Sequence, residues 1–539
     1  MKRGFRLCWI FIIIVIAAGM MWYYQNGNWR TEKRTGVYII KPQGETLWVV
    51  NGEEKEAYLV KGKVTEATYE GMADLEICGN VVRKIICKPV NDSSKITEEK
   101  EQVQEKIRVL LTTTDFADKE HEEVRISSDQ EYSVVGETEE NHQAGEEITI
   151  RPQEMKTEKI LVKAKNNGKL QISSISRNGR VPSYRGTLEL KRVDGKIRMV
   201  NELTMEEYLY GVLPSEMPPE YPEAALRAQA ICARSYAQKQ KKNSRLQEYD
   251  AHVDDSVAYQ VYQSQPEDDR ANKAVDDTKG MVACIGDTIA STYFFATSCG
   301  VTTSAYSTFF SNQEVSYLVG QVQSSLSEDK KKVERDRLAA ETYENESLFR
   351  EFLETEKEVL EKEEPWYRWS TTISLEDMER QINDNIAERC AKTPQRIQVR
   401  EGDGSYHSKQ IDSIGKLKRV VIKKRGSGGV ARMAVIVGTK ATVRVWSEYN
   451  IRKLLFSDSA RVRRGDGKEA TTLTMLPSGF FVLNPVGNSY EIKGGGYGHG
   501  VGMSQTGARQ LALQGKDEKE IMNYYFPNVS ILSMSQVGT

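Results

Sequence analysis

Cysteine and histidine are scarce in this sequence. There are seven cysteines, none in a C-x-x-C pair, and five histidines among 539 residues. That excludes a disulfide-scaffold miniprotein and a zinc ribbon, and leaves little for a multi-histidine metal centre. An excess of one charge sign is missing too: 75 Lys and Arg stand against 77 Asp and Glu, a formal net charge of −2. Nothing in that balance points to nucleic acid, whose readers carry a basic excess or stripe. No internal repeat of fixed period occurs, so solenoids and propellers are out. Strict β-α-β alternation is absent as well, which argues for α+β rather than a doubly wound sheet.

The length suggests two to four domains. At 39% hydrophobic and 28% charged residues, the chain reads as folded and water-facing. Its long apolar run is Leu7 to Tyr24, LCWIFIIIVIAAGMMWYY, preceded by Lys2, Arg3 and Arg6. At ~1.5 Å per residue it spans about 27 Å, near the hydrocarbon thickness of a bilayer. The basic flank predicts a cytoplasmic stretch at 1–6, a transmembrane anchor at 7–24, and everything from Gln25 onward outside the cell. A cleaved signal peptide is the rival reading; the bulky Met-Met-Trp-Tyr-Tyr after Ala17-Ala18-Gly19 favours a retained anchor.

Short strand patterns broken by Asn51-Gly52 and Gly79-Asn80 predict a small β module over 36–90. A polar linker, Asn91 to Gln104, follows. Strand patterns resume at Ile107 and recur to Leu190. Thr204-Met-Glu-Glu207 is a capping box, opening a helix expected to stop at Pro214. A second helix, rich in alanine, begins near Pro222. The stretch 324–364 is highly charged and helical in composition, and predicts a solvated insertion. Strands return from Arg419 to Val445. Two helices end the chain, one closed by Gly515 and one opened by Asp517-Glu-Lys-Glu520. The expected fold is α+β: a mixed, β-rich domain over 105–535 with a helical region and a charged helical insertion, after one N-terminal transmembrane helix.

Two segments draw chemical attention. In Gly211-Val-Leu-Pro-Ser-Glu216-Met-Pro-Pro, prolines stiffen the chain on both sides of a carboxyl with apolar neighbours Val212, Leu213 and Met217. Desolvation keeps such a carboxyl protonated, as a general acid near neutral pH requires. A surface glutamate in a helix–helix turn is the plain alternative. In Gly494-Gly-Gly-Tyr-Gly-His499-Gly-Val-Gly-Met-Ser-Gln505, six glycines fall within 494–502, a density that lets backbone approach a ligand. The spacing never gives G-x-G-x-x-G, and no Walker A, G-x-S-x-G or H-E-x-x-H occurs. His499 could donate to an anion or a sugar oxygen; a bulged turn without a ligand is the alternative.

VNELTMEEYLYGVLPSEMPPEYPEAALRAQAICARSYA, followed later by GGGYGHGVGMSQTGARQLALQGKDEKEIMNYYFPNVSI, resembles the stage II sporulation protein D family, the SpoIID/LytB domain. Gln260-Val-Tyr262, Thr278-Lys-Gly280, Ser298-Cys-Gly300 with Thr302, and Ser427-Gly-Gly429 fit in order between them. The resemblance runs from about Ile107 to Ile531. It implies a peptidoglycan lytic transglycosylase, cutting between N-acetylmuramic acid and N-acetylglucosamine and leaving 1,6-anhydro ends, with Glu216 as the catalytic residue. It suggests Arg234 for orienting the acid or binding substrate, a buried structural ion pair being the alternative. Tyr497, His499 and Gln505 are candidates for a sugar-binding wall.

The implied partners are glycan strands, with a cell-wall amidase or other sporulation wall hydrolases beside them; some relatives are non-catalytic amidase enhancers. No cofactor is implied. Some members hold zinc before Gln-Val-Tyr, but here the ligand positions read Val253, Ala258 and Tyr259, so His252 alone predicts no zinc there. Cys78 with Cys87, or Cys284 with Cys299, are pairs open to bridging outside the cell.

Overall fold

The computed structural model describes residues 31–43, 46–51, 54–60, 71–78, 81–87, 106–309, 313–324, 330–355 and 357–537. The expected anchor at 7–24 lies outside the described residues, among which no helix is long and apolar enough to cross a membrane. The chain divides into two units, Met1–Glu105 and Lys106–Thr539.

In the first unit five strands, Thr31–Gln43, Thr46–Asn51, Glu54–Val60, Gly71–Cys78 and Val81–Cys87, close into a small barrel. The register of the last two sets Cys78 opposite Val81 and Cys87 opposite Ala73. The two cysteines are thus on the order of 16 Å apart along the hairpin.

The second unit is mixed α and β. Its largest sheet runs in the order Glu139–His142, Tyr132–Val135, Lys159–Ala164, Thr187–Val193, Lys196–Thr204, Lys106–Leu111, Val253–Asp254. Alternation buries one face, as in Lys159–Ala164, where Ile160, Val162 and Ala164 turn inward. The strand Lys196–Thr204 leads straight into the helix Met205–Glu216, and Thr204 caps it as expected: its hydroxyl accepts from the Glu207 amide while the Glu207 carboxylate accepts from the Thr204 amide. The helix does not stop at Pro214. Proline's fixed φ is helical, and in the last turn its missing amide forfeits one bond, to the Tyr210 carbonyl. The helix closes with Met217 N–H donating to the Leu213 carbonyl, 2.9 Å.

The alanine-rich helix Glu223–Lys242 is the centre of this core. Ala225, Ala228, Ala230, Ala233 and Ala237 are fully buried, which lets Met205–Glu216, Asp269–Asp277, Gln505–Leu513 and Glu518–Tyr525 pack closely around it. A second core joins the helices Leu375–Lys392 and Glu448–Leu455 to two five-stranded sheets.

The charged insertion is not a solvated appendage. Phe349 and Phe352, one turn apart on the helix Glu346–Glu354, are buried against Cys299, Val301, Val430, Phe480 and Val482. Cys284 and Cys299, a pair the sequence left open to bridging, are both buried free thiols.

Candidate active site

Glu216 is the last residue of its helix, and the loop 260–265 folds against that final turn. Gly211 makes this approach possible: a Cβ there would lie 2.5 Å from the Tyr262 ring. Gln263 N–H donates to the Gly211 carbonyl, and Ser215 Oγ takes the amides of Ser264 and Gln265 while donating to Gly211. Gln260 and Tyr262 point inward, bonded to the side chains of Tyr208 and Asn201. Between them the Val261 amide donates to Glu216 Oε1 at 2.7 Å. No described residue bonds Oε2.

The segment before the loop is pinned by a buried ion pair. Asp255 accepts from the Arg177 guanidinium with one oxygen and from the amide and hydroxyl of Thr112 with the other. His252 Nδ1 accepts from the Arg108 amide at 3.0 Å. Among the described residues no three of His, Cys, Asp and Glu are grouped to hold a metal ion.

Burial pushes the Glu216 pKa up from 4.5 to about 7, partly opposed by the Val261 amide. No cation among the described residues contributes. Beside the carboxyl opens a cleft of about 520 Å³, lined by Arg180, Pro214, Met217 to Glu220 and Gln265 to Asp268, a size typical of ligand sites. The other carboxyls lining it are bound to cations: Glu267 to Arg185 and Lys169, Asp268 and Glu220 to Arg270. Among the described residues Glu216 has no such partner.

Gln505 meets this site. Its Nε2 donates to the backbone carbonyl of Glu216 at 3.0 Å, and its residue is 7% exposed. It acts on the helix end rather than facing a ligand directly.

Arg234 lies elsewhere. It is fully buried, and its guanidinium is spent on Glu206, Thr278 and the carbonyls of Val275 and Met281. Glu206 begins the helix that Glu216 ends, about 15 Å away at ~1.5 Å per residue. The structural ion pair that the sequence left open is the arrangement found, and it leaves no donor for the acid or for a sugar.

The glycine-rich turn packs backbone on backbone. Gly498 has φ +113°, and a Cβ on Gly502 would lie 2.2 Å from the Tyr293 carbonyl. His499 sits among Tyr293, Phe295 and Phe309, with its Nδ1 accepting from the Val501 amide at 3.0 Å. With Nδ1 an acceptor, Nε2 carries the proton. Burial and the Arg452 charge lower its pKa to about 4, opposed by the Phe294 backbone. The imidazole is neutral near pH 7. Tyr497, partly exposed, packs at a tilt against Trp366, with centroids 4.7 Å apart and planes 39° from parallel. Sequence reasoning missed Val261, since a backbone donor leaves no mark in residue identity.

Residues 193–284 match the family model described as stage II sporulation protein, SpoIID, and residues 304–502 match one described as a domain of unknown function. An uncharacterized protein of Brachyspira hyodysenteriae is 29% identical over 357 residues, covering 66% of this chain and 74% of its own. The amidase enhancer of Bacillus subtilis is 26% identical over 325 residues, 60% of this chain and 40% of its own length. Stage II sporulation protein D of Bacillus amyloliquefaciens is 25% identical over 353 residues, 62% of this chain and 75% of its own.

Proposed function

Because the chain belongs to the SpoIID family, through residues 193–284, we propose that it is a peptidoglycan lytic transglycosylase in which Glu216 is the single acid and base. The observation that carries this reading is a carboxyl held protonated near neutrality by burial, without a cation partner, beside an open cleft. Oε1 is occupied by the Val261 amide, so the transferable proton is assigned to Oε2. Glu216 protonates the glycosidic oxygen as the bond to muramic acid C1 breaks. The C6 hydroxyl oxygen then bonds C1, and its proton returns to the carboxylate. Protons balance, and water is not consumed. A hydrolase of the two-carboxylate kind needs a second free carboxylate; here the tethered C6 hydroxyl replaces it, an intramolecular step with high effective concentration. Tyr497 is assigned to sugar contact. The run 7–24 would hold the enzyme in the membrane with its catalytic unit facing the wall, for sporulation engulfment or wall remodelling.

The test is the full chain in detergent with purified glycan strands, read by mass spectrometry for 1,6-anhydro ends. Wild type forms them; Glu216→Gln does not, yet still binds the strands. Similarity to an amidase enhancer supports a second reading, a non-catalytic wall-binding stimulator. Strand binding and amidase stimulation without anhydro ends would establish it instead.

A further inference from the structure

Glu361 belongs to the charged insertion, yet it is fully buried. Among the described residues its carboxylate has no Lys or Arg partner. Oε1 accepts from the Ser298 amide at 2.9 Å, Ser504 Oγ at 2.5 Å and Thr506 Oγ1 at 2.7 Å, and Oε2 accepts from Ser298 Oγ. Ser504 and Thr506 flank Gln505, and Ser504 caps the helix Gln505–Leu513. The carboxylate therefore lies at that helix's positive end. One turn later, Glu364 holds the same helix by accepting from Arg509 and Gln510. Burying an unpaired carboxylate is costly, and two of the three hydroxyls it collects, those of Ser504 and Thr506, lie on either side of the residue that grips Glu216.

We propose that Glu361 is a positioning residue: it fixes the start of the helix Gln505–Leu513 so that Gln505 holds the backbone of Glu216 in its catalytic placement. The insertion is then part of the catalytic machinery's support. This rests on Glu216 as the acid. An apolar residue at 361 frees the two hydroxyls, Gln505 loosens, and water reaches the Glu216 carboxyl.

The test compares Glu361→Leu with Glu361→Gln in the full chain. Glutamine keeps an acceptor at the Oε1 position, so it preserves the three-donor cluster. E361L is expected to lower kcat about 10²-fold with KM moved far less, as small misplacements do, and to bring the titration midpoint of the Glu216 carboxyl, followed by ¹³C NMR, down towards the ordinary carboxylate range. E361Q restores most of both. A folded E361L with wild-type kcat and midpoint, or a lower melting temperature with neither changed, overturns the proposal. If E361L does not fold, Thr506→Val, which removes a single hydroxyl, carries the same test at smaller amplitude. Should wild type form no anhydro ends, the reading of Glu216 as the acid fails by itself, and the midpoint still decides whether Glu361 positions it.

Discussion

Gln505 Nε2 donates to the backbone carbonyl of Glu216 at 3.0 Å, joining two segments that lie 289 residues apart. The helix Met205–Glu216 ends at Glu216, where its last carbonyls lack intrahelical partners; Gln505 supplies one and fixes the direction of the final turn. Gln505→Ala is expected to lower kcat by about ten- to a hundredfold while leaving KM nearly unchanged, as displacement of a reacting group does. Initial rates of anhydro-end release measure it.

The elevated Glu216 pKa makes stability depend on pH. The folded state holds its proton up to about 7, whereas the unfolded chain releases it near 4.5. Between those values the folded state binds more protons, so stability is lost as pH rises through that window. Glu216→Gln removes the penalty and is expected to stabilise the protein at pH 8 relative to pH 5, by up to about 3 kcal/mol. Urea midpoints at the two pH values provide the comparison. Turnover should fall as pH rises above about 7, where the acid deprotonates.

His499 runs the other way. Its folded pKa of about 4 lies below the ordinary 6.5, so the unfolded chain takes up the proton first and stability falls as pH drops through that range. The His499 ring resonances should show a neutral imidazole, protonated at Nε2, with no titration between pH 8 and about 5. A midpoint near 6.5 would contradict the burial described.

Arg234→Met should act on stability rather than on substrate. It leaves Glu206 without its cation, a loss of about 3 kcal/mol or more for a buried pair. The melting temperature should fall clearly, while KM of the folded fraction stays at the wild-type value.

Local signals were legible and long-range ones were not. The capping boxes at Thr204 and Asp517 depend on residues three apart, and both formed as expected. Pro214 misled because a proline rule for helix interiors does not hold in a last turn. The charged 324–364 stretch hid Phe349, Phe352 and Glu361, whose burial depends on partners such as Phe480 and Ser504 far along the chain. Glu216 stood out through its motif and its apolar neighbours. Arg234 carried the right chemistry for a site, but the structure spends its donors internally, and His499 is held neutral among aromatic rings. Residue type shows what a side chain is able to do, and packing decides whether anything is left for a ligand.

Direct titration of the Glu216 carboxyl tests whether it is a neutral proton donor. With ¹³C-labelled glutamate, the difference between wild type and Glu216→Gln isolates one resonance. A midpoint near 7 is expected, with the protonated form dominant at pH 6. A midpoint between 4 and 5 would leave Glu216 ionised at working pH, unable to donate a proton to the glycosidic oxygen, and would contradict that role.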